Sequence, residues 1–287
     1  MTLLIVCWDV QHGSSTYIKT PNKKHILQDL GTGKYKNKDE HFSPLNYLKD
    51  NWDVKRLDEV IITHPHKDHI KDIKNFNKLS PLVFTRPRDL SKEEIMEGVR
   101  EKDKSLFEEY FKIDEDYNAS VHSDEDLENT ANTGGASIWP FFPQTCSISK
   151  INDCSIVTVV SYADSKVVIP GDNESASWEA LLERDDFRSA ISDADILIAP
   201  HHGRKSAFYP DLFDYFEPKL TVVSDGPETE TSAVDLYSSK SSGWRVHHRN
   251  GGSSEVRRCI TTRKDGVITV KLGYKRQERP FIHVTID

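Results

Sequence analysis

Residues 60–70 read VIITHPHKDHI. Three histidines and an aspartate, His64, His66, Asp68 and His69, fall within six residues, directly after an apolar run. Neutral imidazole and carboxylate are the side chains that divalent metals take as ligands. Four such groups on one short loop exceed what a single tetrahedral site usually draws from one segment. The spacing suits two ions side by side, one on His64 and His66, the other on Asp68 and His69. A loop after a short apolar strand is also where α/β proteins place ligands.

Positioning these groups needs a rigid frame. Short runs rich in Val and Ile recur at 3–7, 15–18, 25–30, 58–62, 156–160, 166–170, 195–199 and 219–224, each bounded by turn residues. They predict strands. Segments 257–263 and 267–272 flank Lys264-Asp265-Gly266 and predict a β-hairpin, since Asp-Gly supplies the positive φ of a tight turn. Helices are expected at 44–50, with Pro in its first turn, at 91–111 behind a Ser-x-x-Glu capping box, at 175–191 and at 232–240. Residues 120–137 are polar and Gly-containing and predict a mobile surface loop. Together with helix 91–111 they read as a helical, acidic insertion at about 86–140 on a single domain spanning 1–287. No repeat at a fixed period and no Pro/Gly/Ser-rich linker divides the chain.

The His-x-His-x-Asp-His pattern resembles the metallo-β-lactamase superfamily. The resemblance implies an α/β (α+β) fold, the αββα sandwich, with two mixed β-sheets flanked by helices. It also implies roles elsewhere. Asp29, in HILQDLGTG (25–33), would order the metal loop by hydrogen bonds. Asp172, closing KVVIPGD (166–172), would bridge the two ions. One of His201 and His202, in DILIAPHHG (195–203), would be the last ligand, the other a proton donor or phosphate contact. The family's third histidine would fall about twenty residues before the bridging aspartate, where this chain has Asn152 and Asp153. Either could substitute as an oxygen ligand, or a water could fill the place; His122 is a further candidate.

That departure, with WDVQHGSSTYI (8–18), NDCS (152–155), PHHGRKSA (200–207) and TTRKDGVITV (261–270), resembles the nuclease domain of ComEC-type DNA-uptake proteins. Three differences stand out. Gln11-His12-Gly13-Ser14 occupies the place of Gly-Gln-Gly-Asp, His66 stands where relatives often have Asp, and 224–233 lacks a Gly-His-Pro. The membrane-spanning region of the uptake proteins has no counterpart, so a free-standing version is expected.

The chain has 287 residues and a formal net charge of -8, which counts against non-specific nucleic-acid binding by bulk charge. Its distribution is uneven. Residues 101–128 are acidic, whereas 19–38 and 240–264 lean basic through residues such as Lys19, Lys36, Lys38, Arg245, Arg249 and Arg263. No apolar run approaches the 18–20 residues of a membrane helix, and a cytoplasmic, non-membrane protein is expected. Cys7, Cys146, Cys154 and Cys259 show no Cys-x-x-Cys spacing and read as small buried hydrophobes.

Taken with the resemblance, these features imply a metal-dependent hydrolase, foremost a phosphodiesterase or nuclease acting on DNA or RNA through two divalent ions, Zn or Mn. Asp68, Asp172, His201 and His202 form the expected catalytic set. His64, His66, Asp68, His69, Asp172 and His201 are the metal ligands, with Asp153 or Asn152 added. Arg204 and Lys205 would hold substrate phosphates, with His247 and His248 as further contacts. A lactonase- or thioesterase-type hydrolase is the alternative. So is a regulatory subunit of a defence or repair complex, meeting a protein partner through the acidic insertion.

Overall fold

The computed structural model describes residues 1–34, 41–227, 229–275 and 279–287. Lys36 and Lys38 of the basic 19–38 segment lie outside the described residues. In chain order the strands are β1 (Thr2–Cys7), β2 (Thr16–Lys19), β3 (His25–Gln28), β4 (Gly33–Lys34), β5 (His41–Phe42), β6 (Glu59–Ile61), β7 (Val83–Thr85) and β8 (Ser137–Phe141). They continue with β9 (Val157–Tyr162), β10 (Ser165–Ile169), β11 (Ile196–Ile198), β12 (Leu220–Val223), β13 (Trp244–His248), β14 (Ser254–Arg257), β15 (Cys259–Thr261), β16 (Ile268–Tyr274) and β17 (Pro280–Ile286). The helices are α1 (Pro44–Asn51), α2 (Lys67–Ile70), α3 (Lys92–Glu97), α4 (Lys104–Asp116), α5 (Ser175–Leu182), α6 (Asp185–Ile191), α7 (Val234–Ser239) and α8 (Thr262–Asp265).

The strands form a nine-stranded sheet, ordered β14-β13-β17-β16-β1-β2-β3-β6-β7, and a six-stranded sheet, ordered β15-β12-β11-β10-β9-β8. Both are mixed. In the six-stranded sheet β10, β11, β12 and β15 run parallel, and β8 and β9 pair antiparallel. Alternation along each strand sends side chains to opposite faces. In β1, Leu3, Ile5 and Cys7 meet Val160, Val167 and Ile196 of the other sheet in the central core. Val6 and Trp8 face the other way and pack with Leu45, Leu48 and Phe107 of the helices. The outer face of the six-stranded sheet is covered in turn, Val159, Val168 and Leu197 meeting Trp178, Phe187 and Tyr237. Strands buried on both faces explain the near-continuous apolar runs of the sequence. The four layers are the expected αββα sandwich.

The chain leaves β3, β6, β10, β11 and β12 at one edge of the sandwich, and the loops there carry Asp29, the 64–69 cluster, Asp172, the 201–202 pair and Ser224. Parallel strands put these loops side by side, which is how residues far apart in sequence converge.

Four expectations are corrected. The 257–272 hairpin does not form: β15 pairs with β12 in one sheet and β16 with β1 and β17 in the other. The intervening residues make helix α8, capped by Thr261 Oγ1 accepting from Lys264 N–H, and Gly266 at φ 68 redirects the chain between sheets. Helix 91–111 breaks after Gly98 into α3 and α4, with Arg100 extended. Helix 175–191 is α5 and α6, separated by an extended Arg184. Its apolar stripe continues across the break, since Trp178, Leu181, Phe187 and Ile191 share one core. Lastly, Cys146 and Cys154 form a disulfide, and only Cys7 and Cys259 are buried free thiols among the described residues. In the 120–137 stretch Leu127 is buried in the central core. No helix of the described residues is long and apolar enough to cross a membrane.

Candidate metal centre

The centre is built on Asp29, a fully buried carboxylate in the left-handed region at φ 61. Thr63 donates to it twice, from its N–H at 2.9 Å and from Oγ1 at 3.0 Å. His69 Nδ1 stands 2.8 Å from the other carboxylate oxygen. With the proton on Nδ1, the bare lone pair of His69 is on Nε2, which is buried and makes no hydrogen bond. It faces Asp172 Oδ1 at 3.3 Å.

His202 is arranged in the same way. Its Nδ1 donates to Ser224 O at 3.1 Å, and its buried Nε2 makes no hydrogen bond. Nε2 faces two carboxylates instead, Asp68 Oδ2 at 3.4 Å and Asp172 Oδ2 at 3.6 Å. His201 and His202 both adopt left-handed backbone, φ 48 and 53, which aims the adjacent rings apart, with planes at 66°. Such strain in non-glycine residues is held only where the surroundings impose it. His201 Nδ1 lies 2.9 Å from Glu174 Oε1, and its Nε2 lies 3.9 Å from Asp172 Oδ2.

Asp172 is the hub. Its N–H donates to Ser155 Oγ at 3.0 Å, and Ser155 Oγ also lies 3.1 Å from His64 Nδ1. His64 Nε2 is 3.9 Å from Asp172 Oδ2 and 2.9 Å from His66 Nδ1. Gly171 makes the close approach possible. At φ 62, a Cβ there would stand 2.7 Å from Thr63 Cβ.

Among the described residues two groups of ligand atoms result, each with all atoms within 4.8 Å of one another: His64, His69 and Asp172, all buried, and exposed His12, half-buried Asp68 and buried His202. Ligands sharing one ion at bonds of about 2.0–2.1 Å stand roughly 3.0–3.4 Å apart. The observed separations of 3.3–3.9 Å around Asp172 and Asp68 are close to that. Imidazole nitrogens aimed at carboxylate oxygens need a cation between them, a proton or a metal ion, so the donor set fits divalent metals.

The electrostatics agree. Burial alone raises Asp172, but His69 and His202 outweigh it and hold the carboxyl well below its usual range. Asp68 is held low in the same way, against burial, by His202 and His69. Burial, reinforced by His69, keeps His64 neutral. His69 is pushed well above the ordinary value by Asp29 and Asp172, although burial opposes this. The field favours positive charge among these groups, as a proton or as a metal ion.

Other expected residues fall outside the cluster. Asp153 Oδ1 accepts from Ser177 Oγ at 2.9 Å and from Glu174 N–H at 3.2 Å, so this oxygen holds the start of α5. Asn152 Nδ2 reaches His201 Nδ1 at 3.5 Å. His122 is exposed beside Asp124. His247 stacks on His283, and His248 lies at the end of β13 near Asp287 O. In the order β13-β17-β16-β1 that strand is three places from β1, about 14 Å at the usual strand spacing. Arg204 lies beside the cluster with Nη1 3.2 Å from Thr231 Oγ1, and Lys205 is exposed. The sequence reading missed the groups that orient the ligands, Thr63, Ser155, Glu174 and Ser224, and it missed His12.

The family model of the metallo-β-lactamase superfamily matches residues 8–142. No curated protein sequence matches the chain. Among solved structures it resembles a diphosphatase of the PhnP family at 15% identity and TM-score 0.45, over 96% of this chain and 98% of that one. It also resembles a protein provisionally named a metal-dependent hydrolase from Parabacteroides distasonis, at 15% identity and TM-score 0.39, over 79% and 84%. A third is AidC, a dizinc quorum-quenching lactonase, at 16% identity and TM-score 0.35, over 62% and 68%.

Proposed function

We propose that the chain is a metal-dependent hydrolase of the metallo-β-lactamase type, whose family model matches residues 8–142, and that it is a phosphodiester hydrolase, a nuclease on DNA or RNA. The observation that carries the reading is the convergence of the bare Nε2 atoms of His69 and His202 on Asp172 and Asp68. His64, His66, Asp68, His69, Asp172 and His202 would hold two divalent ions, which supply Lewis-acid polarisation and a lowered pKa for bound water. Asp172 belongs to the buried group and lies 3.6 Å from His202 Nε2 of the other, so it links the two. Asp29, Ser155 and Ser224 set the imidazole orientations, the role that outer partners of metal ligands generally have. His201 is left to move a proton. Its Nδ1 is held by Glu174, and its Nε2 is directed toward the centre, where a leaving alkoxide needs one. Arg204 and Lys205 stand at the solvent-facing side and suit phosphate oxygens. The partial exposure of His12 and Asp68 suits an extended substrate better than a closed apolar pocket would. The motifs at 152–155 and 200–207, similar to those of the ComEC-type nuclease domain, support the same class.

The test is cleavage of linear and circular, single- and double-stranded DNA and RNA, with Mn or Zn, by the wild type and an Asp68→Ala/His69→Ala variant. The wild type should cut at least one, more slowly as salt rises, and the variant should not. A metal-loaded wild type that cuts none would defeat the phosphodiester reading. Turnover of a lactone or thioester in the same preparation would establish the acyl alternative.

A further inference from the structure

One histidine at the centre has no role in the reading above. His12 lies in the loop after β1, in the segment Gln11-His12-Gly13-Ser14. We propose that His12 is a metal ligand of the solvent-facing group, an imidazole donor added to Asp68 and His202. The inference rests on the metal-centre reading and adds a residue to it.

Three observations carry it. The first is distance. His12 Nε2 stands 3.6 Å from Asp68 Oδ2, and the His12, Asp68 and His202 donor atoms lie within 4.8 Å of one another. A separation of 3.6 Å is too long for a hydrogen bond, so a hydrogen bond to Asp68 does not explain the contact. It is close to the spacing of two ligands on one ion. The second is orientation. The rings of His12 and His202 have centroids 4.9 Å apart at 47°, and the Nε2 atoms of both face Asp68 Oδ2.

The third is construction of the loop. Ser224 Oγ donates to Gly13 O at 3.0 Å, while the carbonyl of the same residue accepts from His202 Nδ1. A single residue thus holds the His202 imidazole and the backbone next to His12. Gly31 N–H donates to Ser14 O at 2.8 Å, and Gln11, left-handed at φ 59, is tied to Asp9 through Nε2 at 2.9 Å. Gly13 packs so closely on the metal loop that a Cβ would stand 2.9 Å from Asp68 O. The backbone that carries His12 is therefore held against the metal loop.

The consequence is chemical. A second imidazole beside His202 makes the solvent-facing set nitrogen-rich, and imidazole favours Zn where carboxylate and water suit Mn. His12 therefore biases that position toward Zn.

The experiment is titration of the apo protein with Co(II), Zn(II) and Mn(II), followed by calorimetry and by the visible absorption of bound Co(II). It compares the wild type with His12→Ala and His12→Asp, and apo unfolding controls for folding. The wild type should bind two ions. His12→Ala should keep one tight ion and weaken the other at least about tenfold, by analogy with the loss of a metal-site partner. The absorption of the weakened Co(II) should change, with apo unfolding unaltered. His12→Asp should recover Mn(II) affinity more than Zn(II) affinity. Two ions bound by His12→Ala with wild-type affinity and spectrum would overturn the proposal while leaving the metal centre intact. A wild type that binds no metal would defeat the centre itself, and His12 with it.

Discussion

Asp29→Asn changes one proton-bearing position at the base of the centre. Asn keeps the size of Asp and tolerates the left-handed backbone at φ 61. Its oxygen can replace Oδ1, accepting from Thr63 N–H at 2.9 Å and Oγ1 at 3.0 Å. Its NH2 then takes the place of Oδ2, 2.8 Å from His69 Nδ1. Two donors cannot share that contact. His69 must move its proton to Nε2, which faces Asp172 Oδ1 at 3.3 Å and is the atom a metal needs. Replacing a charged hydrogen bond by a strained neutral one costs about 1–3 kcal/mol of stability, small enough for the variant to fold. Loss of an outer partner typically lowers metal affinity about 10–100-fold, or about 1.4–2.7 kcal/mol. The measurement is a chelator competition on the folded apo variant, alongside its denaturant unfolding. Wild-type metal affinity in folded Asp29→Asn would show that His69 is not oriented through this carboxylate, and the tautomer argument would be wrong.

Three further outcomes are expected. Gly171→Ala combines a left-handed φ of 62 with a Cβ at 2.7 Å from Thr63, and should cost about 2–5 kcal/mol in denaturant unfolding. Glu59 is buried, and that burial pushes its carboxyl from the ordinary 4.5 up to about 7, with the Thr85 hydrogen bond opposing. The folded state then holds a proton the unfolded state has lost, so stability is full below pH 4.5 and falls as pH rises to about 7, by about 3 kcal/mol. Glu59→Gln should flatten that pH profile of unfolding. The Cys146–Cys154 bridge closes a loop with a sequence separation of 8, and removing it by Ser substitution or reductant should cost about 2–3 kcal/mol. An unchanged unfolding midpoint would mean that the bridge contributes nothing.

The sequence revealed the parts of the centre that are local. His64 to His69 lie on one loop behind one strand, so type and spacing suffice. Asp172 and the 201–202 pair are short turns that became informative only through the family resemblance. The groups that orient the ligands left no such trace. Ser155 acts on His64 across 91 residues and on Asp172 across 17, by proximity that only the sandwich creates. Ser224 contributes a backbone carbonyl, which every residue has. The hairpin at 257–272 failed for a different reason. Asp-Gly serves both a tight turn and the end of a helical turn, and Asp265 Oδ2 accepts from Thr261 N–H at 2.9 Å to close α8.

The resemblance leads to a third histidine near Asn152 and Asp153, and the residues found there have other partners. Asp153, the nearest carboxylate in sequence, has Oδ1 engaged by the start of α5, through Ser177 and Glu174. The Glu174 side chain in turn holds His201 Nδ1. The segment that lacks the histidine therefore positions His201, with Asn152 Nδ2 also within 3.5 Å of it. On the opposite side the chain has His12, in a loop anchored by the residue that orients His202. A donor missing from the buried group and one added to the exposed group would make the two metal positions unequal in ligand chemistry. Two-step metal binding is then expected, with Zn preferred where His12 and His202 meet Asp68. Equal affinities for two Zn ions, with no distinction between the positions, would contradict that asymmetry.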